Sequence, residues 1–187
     1  MDIDDQKLVY TPAFGPAHSG TKDNPIIFVA QYPAAYNSED MAKVSEIRSG
    51  GTLVQENNGT YLRRGWPAFG AFRKDNIQWI GMYTDCREAD NKQYQNSAPC
   101  CLRTGDNLVC AQARIIGERG APYGGDNYSG IRFENTVDAI AEDNWITDFW
   151  WLSGSRDEAI ISFSTNNTTI KNNKIERCAW AIYMKGA

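Results

Sequence analysis

Apolar and polar positions alternate with a period of two in three stretches toward the end of the chain. The apolar members are Ile131 and Phe133, then Ile161 and Phe163, then Ile182 and Met184. This alternation predicts three strands, with those six side chains facing one interior. Arg132, Glu134, Ser162, Ser164, Tyr183 and Lys185 then face outward. From Ile161 to Ile182 is 21 residues, too many for a hairpin and too few for a crossover that carries its own helix. The distance suits one turn of a β-solenoid, whose equivalent strands pair in parallel. A β-sandwich would give the same alternation, but it needs hairpin turns between neighbouring strands, and residues 161–186 offer none.

A second phrase also repeats, "AEDNWI" at 141–146 and "IKNNKI" at 170–175. It predicts that Asn144 and Asn173 occupy equivalent corners, where Asn tolerates a left-handed backbone and its amide bonds along the stack. Ile131 and Ile161 are 30 residues apart, about nine more than the next interval. The excess is assigned to "WWLSGSRDE" at 150–158, an exposed loop, and "APYGGDNYS" at 121–129 precedes the equivalent strand one turn earlier. Both loops would overhang the same sheet. Upstream, "NIQWIGMYTD" at 76–85 reads as an asparagine corner followed by a strand, and "NPIIFVAQYP" at 24–33 as a strand bounded by prolines. Residues 38–51 fit either a short capping helix or an edge strand. In the helix, Ser38 caps, Met41, Val44 and Ile47 share a stripe, and Gly50 ends it.

With 187 residues and 42% apolar content, the chain suits one ordered domain. Its net charge of -4, with Lys and Arg scattered, argues against nucleic acid and anionic lipid as partners. No apolar run reaches the roughly 20 residues of a membrane-spanning helix, and the first residues lack the character of a signal peptide. An export signal would therefore have been removed or never present. Of five cysteines, Cys86, Cys100, Cys101 and Cys110 fall in a polar, loop-like stretch, and Cys178 lies apart. They read as a loop stapled by two disulfides in an oxidising compartment, or as free thiols. A zinc site is disfavoured, because there is no Cys-x-x-Cys pair and the single histidine is the distant His18.

The strand with its I-x-x-N-x-I corner resembles the right-handed parallel β-helix family, the pectin-lyase-like superfamily. The opening "SGTKDNPIIFVAQYP" is similar to that of many secreted members. The resemblance covers 130–187, extends in part to 19–33 and 69–85, and is absent over the cysteine stretch. It implies an all-β chain forming one right-handed parallel β-helix. A cap and first coils would occupy 1–70, a cysteine-containing insertion 83–112, and the best-defined coils 130–187. Because the sequence stops at "YMKGA" just after a strand, the expectation is the N-terminal part of a longer solenoid. The family holds polysaccharide lyases, glycoside hydrolases, uronate epimerases and phage tailspikes. The resemblance thus implies a secreted, polysaccharide-binding protein, most plainly a lyase on uronate-containing glycans. Its alternative is a non-catalytic adhesin or a tail fibre on a virion surface.

A lyase needs a cation or Ca²⁺ to neutralise the sugar carboxylate and a base to take the adjacent proton. The resemblance puts Lys185, Arg132 and Glu134 on the catalytic sheet. Trp150, Trp151, Arg156, Asp157 and Tyr183 would contact substrate from the sheet and its loop. A hydrolase would instead draw its two carboxylates from Asp157, Glu158 and Glu134. Each has a plainer reading: Arg132 with Glu134 as a solvated charged surface, Asp157 with Glu158 as a polar loop tip, and the tryptophans as packing for the loop. Asp126 and Asn127 offer oxygens to Ca²⁺ without a full ligand spacing, and no family catalytic motif stands out.

Overall fold

The computed structural model describes residues 15–30, 51–55, 61–65, 69–85, 98–117, 119–121, 128–151 and 157–186; for 51–55, 61–65, 119–121, Tyr128 and Trp151 it gives strand placement only. The first strand is β1 (Ile26–Val29), followed by β2 (Gly51–Gln55) and β3 (Tyr61–Gly65), an antiparallel pair. A repeating order then sets in. One repeat holds β4 (Phe69–Phe72), β5 (Ile77–Ile80) and β6 (Tyr83–Asp85). The next holds β7 (Cys100–Asp106), β8 (Leu108–Ala111), β9 (Arg114–Ile116) and β10 (Arg119–Ala121). The third holds β11 (Tyr128–Val137), β12 (Ile140–Glu142), β13 (Trp145–Thr147) and β14 (Trp150–Trp151), and the fourth β15 (Asp157–Phe163), β16 (Thr169–Lys171) and β17 (Lys174–Glu176). The last strand is β18 (Trp180–Lys185).

Equivalent strands pair in parallel. The first sheet has the order β4-β7-β11-β15-β18, the second β1-β5-β8-β12-β16, the third β6-β9-β13-β17, and β10 pairs with β14. The chain is all-β with stacked parallel sheets, compatible with a parallel β-helix-like solenoid. The expected strands at 24–33 and 76–85 are present as β1, β5 and β6. Of the segment left open at 38–51, residues 38–50 lie outside the described residues.

The core follows the register. On the first sheet Phe69, Cys100, Ile131, Ile160 and Ile182 form one column, and Ala71, Leu102, Phe133, Ser162 and Met184 the next, though Ile182 and Met184, expected in the interior, are exposed. The second sheet contributes Phe28, Trp79, Cys110, Ala141 and Ile170, and the third Ile115, Ile146 and Ile175. Trp79 is fully buried and stacks on Phe28 with ring centroids 4.1 Å apart. Here one expectation is corrected. Ile131 pairs with Ile160 rather than Ile161, so Ile160 and Ser162 share the interior face while Ile161 and Phe163 face outward. Ala159 and Ile160, adjacent on β15, both belong to the core, so strict alternation fails at this point of the strand.

The turns follow the same count. Among the described residues, all thirteen non-glycine positions of positive φ fall into four stacked columns. They are Arg73, Thr104, Asn135 and Ser164; Asn76, Asn107, Asp138 and Asn167; Gln112, Asp143 and Asn172, headed by Gly81; and Asp148 with Arg177. Each such residue costs about 1 kcal/mol or more. The stack offsets this by bonding the backbone at these corners: Asn76 N–H donates to Asp106 at 2.8 Å and Asn107 N–H to Val137 at 2.9 Å. The asparagine pairs of the sequence thus divide their work. Asp143 and Asn172 take the left-handed backbone expected of Asn144 and Asn173, which turn inward instead.

Asn144 is fully buried. Its Oδ1 accepts from Ala113 N–H at 2.9 Å, and its Nδ2 donates to the Cys110 carbonyl at 3.0 Å and to Asn173 Oδ1 at 2.9 Å. Asn173 donates in turn to the Ala141 carbonyl at 3.0 Å. The predicted bonding of equivalent asparagines along the stack is present.

The cysteine stretch does not form the expected stapled loop. Cys100 and Cys101 lie on β7 and Cys110 on β8, within the regular repeat, and these three and Cys178 are free thiols. Neighbours on a strand face opposite ways, so Cys100 points into the core and Cys101 out of it. Cys86 lies outside the described residues.

Candidate functional site

The structure places Arg132, Glu134, Tyr183 and Lys185 on the outer side of the first sheet, in two adjacent columns. Cys101, Arg132, Ile161 and Tyr183 form one, and Phe72, Arg103, Glu134, Phe163 and Lys185 the other. Arg132 and Glu134 are in contact and buried, at 6% and 5% exposure, so they are not the solvated surface that two outward charges suggested. Arg132 Nε donates to Glu134 Oε2 at 2.8 Å, and Arg103 Nη2 reaches Glu134 Oε1 at 2.8 Å. One carboxylate therefore holds two guanidiniums away from water, which requires mutual pairing. Burial pushes the neighbouring Cys101 thiol up to about 11, against the pull of Arg132 and Arg103. Lys185 and Tyr183 stand two strands further on, about 10 Å away by strand spacing. Phe163 and Ile161 form the apolar rung between, and Lys185 Nζ lies 5.0 Å from the Phe163 ring centroid.

Asp157 and Glu158 are not a loop tip. They are the first residues of β15 and fully buried. Trp150 is 38% exposed on β14, while the side chain of Trp151, the whole of Arg156, and Asp126 with Asn127 lie outside the described residues. Trp145 sits on the outer side of the third sheet. Arg114 lies 4.2 Å and Lys174 3.8 Å from its ring centroid, and its Nε1 donates to Glu176 at 2.8 Å. Among the described residues no three His, Cys, Asp or Glu side chains gather as metal ligands, and no helix is long and apolar enough to cross a membrane.

The open site lies on the second sheet, where sequence reading did not place one. A groove of about 280 Å³ runs along its outer face, crossing β5, β8, β12 and β16. One wall is the left-handed column Asn76, Asn107, Asp138 and Asn167. The other is the outward column Gln78, Val109, Ile140 and Thr169, with Lys22 and Pro25 at one end. The amides are bonded up the stack: Asn76 Nδ2 donates to Gly20 at 3.1 Å, Asn107 Nδ2 to Asn76 Oδ1 at 3.0 Å, and Asn167 Nδ2 to Asp138 Oδ1. Gln78, Thr169 and Lys22 make no side-chain bond to the described residues, so their polar groups face the groove or solvent. Val109 and Ile140 supply an apolar stripe between them. A signal for this wall was present in the sequence: "DNIQW" at 75–79 and "DNLVC" at 106–110 recur 31 residues apart. No protein-family model, curated protein or solved structure matches the chain.

Proposed function

We propose that this chain is a right-handed parallel β-helix that binds an extended polysaccharide along the outer face of its second sheet. The hand follows from the strong preference of parallel crossovers for right-handed connection. The observation that carries the binding reading is the groove itself. Pyranose rings present apolar C–H faces rimmed by hydroxyls. Such a ring is complemented by an apolar stripe, Val109 and Ile140, beside the amide of Gln78 and the hydroxyl of Thr169. The groove also repeats at the strand spacing of about 4.8 Å, which suits a polymer lying along the stack.

The second reading, a lyase on uronate-containing glycans, draws on the shared face of Arg132, Glu134, Tyr183 and Lys185. It assigns proton removal to Lys185 and carboxylate neutralisation to the guanidiniums. One experiment separates the two readings: calorimetric binding to a panel of neutral and uronate-containing polysaccharides, with unsaturated-product absorbance and new reducing ends followed in parallel. Binding of at least one glycan with neither product signal is expected. Rising absorbance together with reducing ends would replace this reading with the lyase, and absence of binding to every glycan would overturn it.

A further inference from the structure

The left-handed wall of the groove is a hydrogen-bonded ladder with one interrupted rung. Asn107 Nδ2 donates to Asn76 Oδ1 at 3.0 Å, and Asn167 Nδ2 donates to Asp138 Oδ1. Between Asn107 and Asp138 no side-chain bond forms, although the two occupy neighbouring rungs, with the Asn107 N–H donating to the Val137 carbonyl at 2.9 Å. The chemistry explains the break. An asparagine at 138 would present a donor to Asn107 Oδ1, whereas an ionised carboxylate has only acceptors. Two neighbouring acceptors, the Asn107 carbonyl oxygen and Asp138 Oδ2, the carboxylate oxygen that Asn167 does not reach, are thus left without a donor among the described residues in the middle of the groove, and Asp138 is exposed.

We propose that this interrupted rung is the hydroxyl-binding point for an uncharged glycan, a proposal that rests on the polysaccharide-binding reading of the same groove. Neighbouring hydroxyls of one sugar donate to Asp138 and to Asn107 Oδ1, Thr169 and Gln78 bond the hydroxyls on either side, and the C–H face of the ring lies on Val109 and Ile140. The ligand is uncharged for two reasons. Among the described residues, Lys22 and Asp138 are the only formal charges in the lining, and they cancel. Two acceptors side by side also repel a uronate carboxylate while drawing in O–H donors.

The test is Asp138→Asn, which supplies the ladder's donor and removes the ligand's acceptor in one step. Binding of neutral and uronate-containing polysaccharides to both proteins is measured by calorimetry, alongside thermal melts. The expected result is wild-type affinity for a neutral glycan, a loss of about 10-fold or more in D138N, and a melting temperature held or raised. Because the ladder is completed, unfolding does not account for that loss. Equal affinity in wild type and D138N would overturn the proposal while leaving the groove's glycan binding intact. A preference for uronate polymers would overturn the claim of an uncharged ligand, and no binding by the wild type would remove both readings. If D138N melts lower, the near-isosteric Thr169→Val decides: a several-fold loss of affinity supports the proposal, and unchanged affinity overturns it.

Discussion

Replacing Asn144 with alanine tests the stacking argument at its centre. The amide makes three short side-chain bonds, accepting from Ala113 N–H at 2.9 Å and donating to the Cys110 carbonyl at 3.0 Å and Asn173 at 2.9 Å, and a fourth, weak one from the Cys110 thiol at 3.8 Å. Each short bond contributes about 1 kcal/mol net, and leaving the buried Ala113 N–H without a partner adds about 1 kcal/mol or more. The expected loss is therefore about 4 kcal/mol, a large share of the roughly 5–15 kcal/mol that stabilises an ordinary domain. At a urea dependence of about 2 kcal/mol per molar, the midpoint should fall by about 2 M. Circular dichroism and tryptophan fluorescence in parallel urea titrations would read it. The control is Asn173→Ala, which is only partly buried and lets water replace its partners, so its loss should be about half or less. A midpoint shift in N144A below about 0.5 M, or a larger loss in N173A than in N144A, would refute the buried-ladder account.

Two further outcomes follow from the buried groups on the first sheet. Glu134→Gln removes the charge that holds Arg103 and Arg132 and should destabilise by about 3 kcal/mol, measured by urea unfolding; an unchanged midpoint would show that the guanidiniums do not depend on that carboxylate. Burial raises the Cys101 thiol to about 11 from 9.0. A folded-state value above the unfolded one means that the stabilisation is complete below about pH 9 and is lost as pH rises toward 11, by about 2 kcal/mol for this group. Unfolding midpoints between pH 8 and pH 10.5 should therefore decline less steeply in Cys101→Ala than in wild type, and identical slopes would contradict the assignment.

Much of the fold was legible in residue order. Period-two alternation marked the strands, and the phrase shared by 141–146 and 170–175 marked equivalent corners. These signals are local, set by which face a side chain takes and which residue tolerates a turn. The register was not local. "AIISF" offers Ile160 and Ile161 as neighbours, both fit an interior position, and only pairing with Ile131 selects the first. The double asparagines were ambiguous for a similar reason, since either member suits a left-handed corner and only the inward bonds of Asn144 and Asn173 distinguish them.

The candidate site was less legible, because sequence gives the direction of a side chain from its own strand but not what covers it. Arg132 and Glu134 point away from the core as alternation requires, yet they are buried, and their charges satisfy each other rather than solvent. The cysteines needed the same information: the stretch holding Cys86, Cys100, Cys101 and Cys110 suggested staples, yet Cys100, Cys101 and Cys110 lie on regular strands as free thiols. Sequence by itself determined the repeating strands and the residues able to turn left-handed. The tertiary structure decided which repeats meet, because parallel stacking brings residues about 30 positions apart to one rung. That is how Asn107 and Asp138 came to share one wall of an open groove, a neighbourhood that no stretch of sequence contains.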